Sequence, residues 1–326
     1  MDELRSRHRD SGDEEYATRA AAAMSTTAVP AAGGARVGRL EDPRVVLAIV
    51  VTTLLWASAF VAIRRVRSDF APGELALGRL LVGSIALSAM MKRGRLTLPP
   101  RRDVPAIAVC GVLWFGVYNV ALNQGERLVD AGTAAMLVNV APIMIAVLAT
   151  WVLRERLSSW LLGGLLVAFA GAAVIAVGSS RHHGGLSGVL LCVLAAAAYT
   201  VAVVIEKPLL TRVSPVTVTW AACIVGAVAC LPFLPGLVSE LRSAPASSTL
   251  IVAYLGIGPT AVAFTTWAYA LSRSTMARHG ATTYLVPPLV IVLGWLTLGE
   301  VPGVVAIAGG AICLVGVALT RRRSAR

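Results

Sequence analysis

Charge is what this sequence has least of. Asp, Glu, Lys and Arg make up 14% of its 326 residues, where soluble domains carry roughly a quarter. The chain therefore lacks the polar surface needed to face water all round. Histidine is scarce too, with 4 residues. No HEXXH or GxSxG segment occurs, so the clustered groups that lipid- or peptide-cleaving membrane enzymes need are missing. The 5 cysteines, Cys110, Cys192, Cys223, Cys230 and Cys313, form no CxxC pair. They read as small apolar core residues and indicate neither a zinc site nor a disulfide framework. No metal or cofactor is expected, and no signal-peptide pattern is seen.

What is present is apolar: 57% of the residues are hydrophobic and the mean hydropathy is +0.76. The formal charge of +12 comes from short basic clusters between apolar runs, a pattern of membrane topology and not of a nucleic-acid face. A helix crossing the hydrocarbon needs about 20 apolar residues. Charge-free runs of that order cover 45–63, 104–125, 131–153, 157–180, 184–205, 213–239, 243–272, 279–299 and 301–320, and a further run, 75–91, is interrupted only by Arg79. These predict an all-α polytopic membrane protein of ten transmembrane helices, because continuous apolar runs do not suit a barrel and open strand edges are untenable in lipid. Eighteen lysines and arginines flank the runs on one side and six on the other. That bias places both termini in the cytoplasm, in a plasma (inner) membrane protein.

The runs repeat. A shift of 145 residues carries Pro142 onto Pro287, Val147 onto Val292, Leu148 onto Leu293 and Leu153 onto Leu298, then Glu155 onto Glu300, Gly164 onto Gly309 and Gly171 onto Gly316. A shift of 143 carries Pro72 onto Pro215 and Gly83 onto Gly226. Five spans per copy is an odd number, so the copies should be inverted in the membrane. The expected organisation is a disordered cytoplasmic tail 1–43, five-helix repeats at 44–180 and 184–320, and a basic cytoplasmic C-terminus 321–326. Inverted repeats place a substrate site between the halves near the bilayer midplane and supply two nearly isoenergetic arrangements. That favours a transporter over a membrane enzyme or a non-transporting scaffold.

The segment Pro142-x12-Glu155-Arg156-Leu157 and its repeat Pro287-x12-Glu300, with Trp56-Ala57-Ser58-Ala59-Phe60 and with Pro72 followed by Arg79, resembles the EamA type of the drug/metabolite transporter superfamily. The resemblance runs over 44–320. Val301-Pro302 replaces Arg-Leu in the second copy, and Ala222 stands where Arg79 would recur. The resemblance implies a secondary carrier that exports small metabolites, amino acids or drugs. An exporter of small amphipathic metabolites by alternating access leads. A multidrug exporter of lipophilic compounds follows, and a lipid-modifying membrane enzyme is the reading from another class. The partners expected are a small-molecule substrate and the lipid bilayer, with a homodimer left open and no nucleic acid.

Arg79 is the charge inside a span. It is either a docking point for a substrate carboxylate or a helix tie, for instance through Glu74. Pro142, Pro287 and Pro288 remove backbone donors in mid-membrane and mark kinks or hinges. Beside them stand Asn139 and its counterpart Tyr284. Phe115, Asn119 and Asn123 share one face of the third span next to Tyr118; Thr260, Phe264 and Trp267 recur in the eighth. Trp56 and Ser58 of the first span correspond to Tyr199 and Val201 of the sixth. Trp56, Ser58, Arg79, Tyr118, Asn119, Asn123, Asn139, Tyr199, Trp267 and Tyr284 are thus the cavity candidates, suited to a mostly apolar pocket with a few orienting polar groups; interhelical hydrogen bonds and aromatic packing are the plainer reading of any one of them. Glu155 and Glu300 sit in short connections where a carboxylate stabilises the next helix's N-terminus. Glu74, Glu126, Asp130 and Glu206 lie near span ends, and no coupling-ion site stands out. His279 reads as a cap or cavity-rim residue, and Gly164, Gly171, Gly309 and Gly316 as close-packing positions.

Overall fold

The computed structural model describes residues 42–93, 97–128, 137–152, 158–179, 186–298 and 303–320. The tail 1–41, Glu155, Glu300 and the C-terminal 321–326 fall outside them. Among the described residues all regular structure is helical: α1 (Pro43–Val66), α2 (Pro72–Arg93), α3 (Arg101–Leu128), α4 (Ala141–Val152), α5 (Ser159–Ser179), α6 (Leu186–Leu209), α7 (Pro215–Ala229), α8 (Leu234–Ser243), α9 (Ala246–Ser272), α10 (Met276–Thr297) and α11 (Val304–Thr320). Six of these, α1, α2, α3, α6, α9 and α10, are long and apolar enough to cross a membrane, and α7 with α8 makes a seventh if the bent pair is one span. α4, α5 and α11 contribute shorter apolar stretches at 141–152, 159–174 and 307–320. Large apolar side chains point outward, among them Ile85, Trp151, Leu186 and Val304, as a lipid-facing surface requires.

Local chemistry sets the helix starts. Proline opens α1, α2 and α7, where its missing amide is one that a first turn leaves unpaired anyway. Asp42 and Ser214 cap α1 and α7 by accepting from the amides of Arg44 and Thr217 at 2.9 and 3.2 Å. The apolar run 213–239, expected as one span, bends instead by 53° after Ala229. Pro232 and Pro235 supply no amides to continue the ladder, so α8 restarts in a new direction.

Two interior features recur. α3 widens into a π segment at Gly111–Val117 and α9 into another at Gly256–Val262; the two are offset by 145 residues, the shift that aligns the repeated prolines. Each lies at a close glycine crossing. A Cβ on Gly111 would meet the Ala222 carbonyl of α7 at 2.6 Å, and one on Gly256 would meet the Arg79 carbonyl of α2 at 2.8 Å. Gly226 and Gly83 face the same crossings from α7 and α2.

α5 and α11 meet along glycines as well. A Cβ on Gly171 would fall 2.5 Å from the Cys313 amide, and one on Gly316 would collide with the Ala168 backbone. These are backbone-to-backbone contacts, so nothing can rotate away. Gly316→Leu should therefore cost about 1–3 kcal/mol, the usual range for overpacking, and lower the thermal midpoint in detergent. Gly163→Leu, with nothing within 4 Å of its Cβ, should leave it in place. Equal midpoints for the two variants would mean the seam is not close-packed.

Candidate functional site

A cavity opens between α1, α2, α3, α4, α6, α9 and α10. Its walls are aromatic. Trp114 of α3 sits at the centre of a ring cluster, 5.1 Å from Tyr199, 4.9 Å from Phe264 and 6.5 Å from Trp56 between centroids. Phe115 and Phe264 meet at 4.6 Å, and Trp267 backs Trp56 at 4.9 Å. Such rings offer broad, stiff apolar contact and electron-rich faces.

The π segments organise the polar part. Widening a helix leaves carbonyls without their usual amide partners. Asn119 answers in α3, its Nδ2 donating to the carbonyls of Trp114 and Phe115 at 3.1 and 3.0 Å. Thr260 answers in α9, its hydroxyl donating to the Leu255 carbonyl at 2.8 Å. The Thr260 oxygen also accepts from Arg79 Nε at 3.0 Å, which fixes the arginine from behind while its side chain borders the cavity. Among the described residues no carboxylate lies within ion-pair distance of Arg79. Glu74, the partner a helix tie would use, packs instead against Gly236 of α8.

Broken helices complete the wall. Pro142 stands in the first turn of α4, just after a turn at Asn139–Val140. α10 tightens to a 3₁₀ turn over Ala281–Leu285 before its α-helical part resumes at Val286, with Pro287 and Pro288 in the new first turn. The Tyr284 hydroxyl donates to the Asn139 carbonyl at 2.7 Å, so the two breaks are joined. Asn139, Pro142, Thr283 and Val286 all border the cavity.

Of the residues picked from sequence, Trp56, Arg79, Tyr118, Asn119, Asn139, Tyr199 and Pro142 come together at the cavity. Four others are placed behind it. Ser58 donates to the Leu55 carbonyl and meets the Tyr254 hydroxyl at 2.5 Å. Asn123 Nδ2 donates to the Pro72 carbonyl at 3.1 Å. Trp267 and Tyr284 are fully buried supports, and His279, expected at the rim, is buried against Trp267. Trp114 is among the lining residues that were missed. Its signal was available: it lies one turn before Tyr118, on the face that also carries Leu122.

Comparison with known proteins agrees with this architecture. The model of the EamA-like transporter family matches the chain twice, over residues 43–177 and 186–322. The "Probable terminal-alkyne amino-acid exporter" of Streptantibioticus cattleyicolor is 40% identical over 283 residues, covering 86% of this chain and 94% of that protein. The "Uncharacterized transporter YdfC" of Bacillus subtilis is 34% identical, covering 82% and 87%. A solved crystal structure of 21% identity superposes with a TM-score of 0.71 over 84% of this chain and 95% of its own, a likeness of fold.

Thr260 is the joint of this site. Thr260→Val keeps its shape but leaves the Leu255 carbonyl and Arg79 Nε without that partner in a dry interior, which should cost about 1–3 kcal/mol. Thr265→Val, which removes only an ordinary hydroxyl-to-carbonyl bond to Ala261, should cost less. Thermal unfolding of the two purified variants makes the comparison, and a Thr260→Val protein as stable as Thr265→Val would remove Thr260 from its role.

Proposed function

The chain belongs to the EamA-like transporter family, and from that premise we propose that it exports small amphipathic metabolites carrying a carboxylate, amino acids first among them. It is a multi-pass membrane transporter and not an enzyme. We read it as ten membrane helices in two inverted five-helix repeats, 44–180 and 184–320, with both termini in the cytoplasm of a plasma-membrane protein. The repeats would rock about the cavity, with the α4 and α10 breaks as hinges.

The observation that carries the substrate class is the Arg79 guanidinium, held by Thr260 and bordering an aromatic cavity. A buried charge is expensive to insert and is kept where it binds something. Guanidinium matches carboxylate in shape and charge, and the Trp56, Trp114 and Phe264 rings suit an apolar side chain. The amino-acid exporter at 40% identity supports the same class. The aromatic wall also favours a second reading, export of lipophilic compounds, but a fixed cation in the wall disfavours lipophilic cations.

Counterflow into proteoliposomes separates the two. Labelled L-leucine and L-propargylglycine should exchange, and Arg79→Ala should reduce that exchange about 10–100-fold, the loss expected for a charge-assisted hydrogen-bonded partner. Exchange of a lipophilic cation, unaltered in Arg79→Ala and without amino-acid exchange, would establish the drug-exporter reading in its place.

A further inference from the structure

Behind the Tyr199 wall, toward the end of α6 that carries Lys207, the interior holds polar atoms with nothing to bond. The Tyr199 hydroxyl, Trp267 Nε1, both ring nitrogens of His279 and Glu206 Oε2 are shut from water and have no hydrogen-bond partner. All four residues are at least nine-tenths buried. They form one row. The Tyr199 ring lies 6.2 Å from Trp267, and Trp267 lies 4.0 Å from the His279 ring. The Trp267 backbone faces that imidazole. Glu206 follows Tyr199 by seven residues, two turns along the same face of α6, within electrostatic reach of the tyrosine hydroxyl and of Cys110 on α3. Lys207 stands within electrostatic reach of Glu206 and His279, and its ammonium donates to the Leu271 and Ser274 carbonyls at the end of α9.

A buried polar atom without a partner costs stability, and a purely structural position would be filled at no such cost by carbon. Five orphaned atoms on these four residues therefore point to a partner that comes and goes. Their chemistry describes it. Trp267 Nε1 is a donor only, the Glu206 oxygen and one imidazole nitrogen can accept, and the Tyr199 hydroxyl can do either. An anion alone or a cation alone would leave half of this capacity unused, whereas a zwitterionic head group offers a carboxylate to the donors and an ammonium to the acceptors. The row also begins where the cavity ends, because Tyr199 lines the cavity and Trp267 packs behind Trp56.

We propose that Tyr199, Trp267, His279 and Glu206 form a second station for the zwitterionic head group of the substrate, occupied between its entry at the Lys207 end and its binding at Arg79. This rests on the amino-acid reading above. Lys207 closes the station in the present state by holding the end of α9 to α6.

Trp267→Phe removes the donor and keeps a ring; Glu206→Gln removes the charge and keeps the shape. Equilibrium binding of labelled L-leucine to the purified protein, dominated by Arg79, should stay within about twofold of the unaltered protein in both variants. The maximal rate of leucine exchange in proteoliposomes should fall at least about tenfold. Unaltered exchange in both variants would overturn the station, and so would binding that weakens in step with exchange, since that assigns these residues to the Arg79 cavity. If Trp267→Phe fails to elute as a folded species, Glu206→Gln decides alone. An unaltered protein that exchanges neither leucine nor propargylglycine would instead sink the amino-acid reading, and the station with it.

Discussion

The interior of this protein is organised by the need to satisfy backbone carbonyls where two helices widen. In an apolar medium there is no water to take up a carbonyl that a π segment has released. Each segment must find a side-chain donor of its own, and the two found here, Asn119 and Thr260, both stand at the cavity or directly behind it. The widening also pushes backbone toward neighbouring helices, and only glycine pairs, Gly111 with Gly226 and Gly83 with Gly256, admit that approach. Substituting any of these would shift a helix that lines the cavity. The site is thus a by-product of how the bundle solves its hydrogen-bonding problem.

Arg79 follows from the same constraint. A guanidinium within a membrane helix needs acceptors, and the Thr260 oxygen, already committed as donor to the Leu255 carbonyl, still has lone pairs to offer Nε. That single bond orients the group without neutralising it. A carboxylate in the same place would have made a closed ion pair, stable and inert. Among the described residues no carboxylate closes the charge, which is the condition the proposed anion-docking role requires.

Much of this was legible in the sequence because it depends on composition and period. Apolar runs of membrane length, the prolines 145 residues apart, and a polar–aromatic face beside them needed no coordinates. What the sequence hid depends on geometry of a finer grain. A π segment differs from α-helix by one residue per turn and has no compositional signature, so the roles of Asn119 and Thr260 as carbonyl caps could not be read in advance. The same holds for the bend after Ala229: Pro232 and Pro235 were visible, but an apolar run does not say whether a proline kinks a helix or ends it. Ser58 and Asn123 share a face with cavity residues by period, yet a hydrogen bond to Leu55 or Pro72 turns each away. Period fixes the face and not the rotamer.

The repeat is symmetric in its backbone and asymmetric in its chemistry, and both halves of that statement matter. Gly83 recurs as Gly226 at an offset of 143 residues, while the π segments, the broken helices and Gly111 with Gly256 recur at 145. At that offset Asn119 corresponds to Phe264 and Phe115 to Thr260, while Arg79 corresponds to Ala222 through the shift of 143. A symmetric frame gives two arrangements of nearly equal free energy, which is what lets a small differential in ligand contacts move the equilibrium. A symmetric lining would bind a substrate in two opposed orientations equally well and would specify neither. With the cation and the amide cap in the first half and the hydroxyl cap in the second, the proposed carrier would keep a bistable frame and give a substrate a single heading within it.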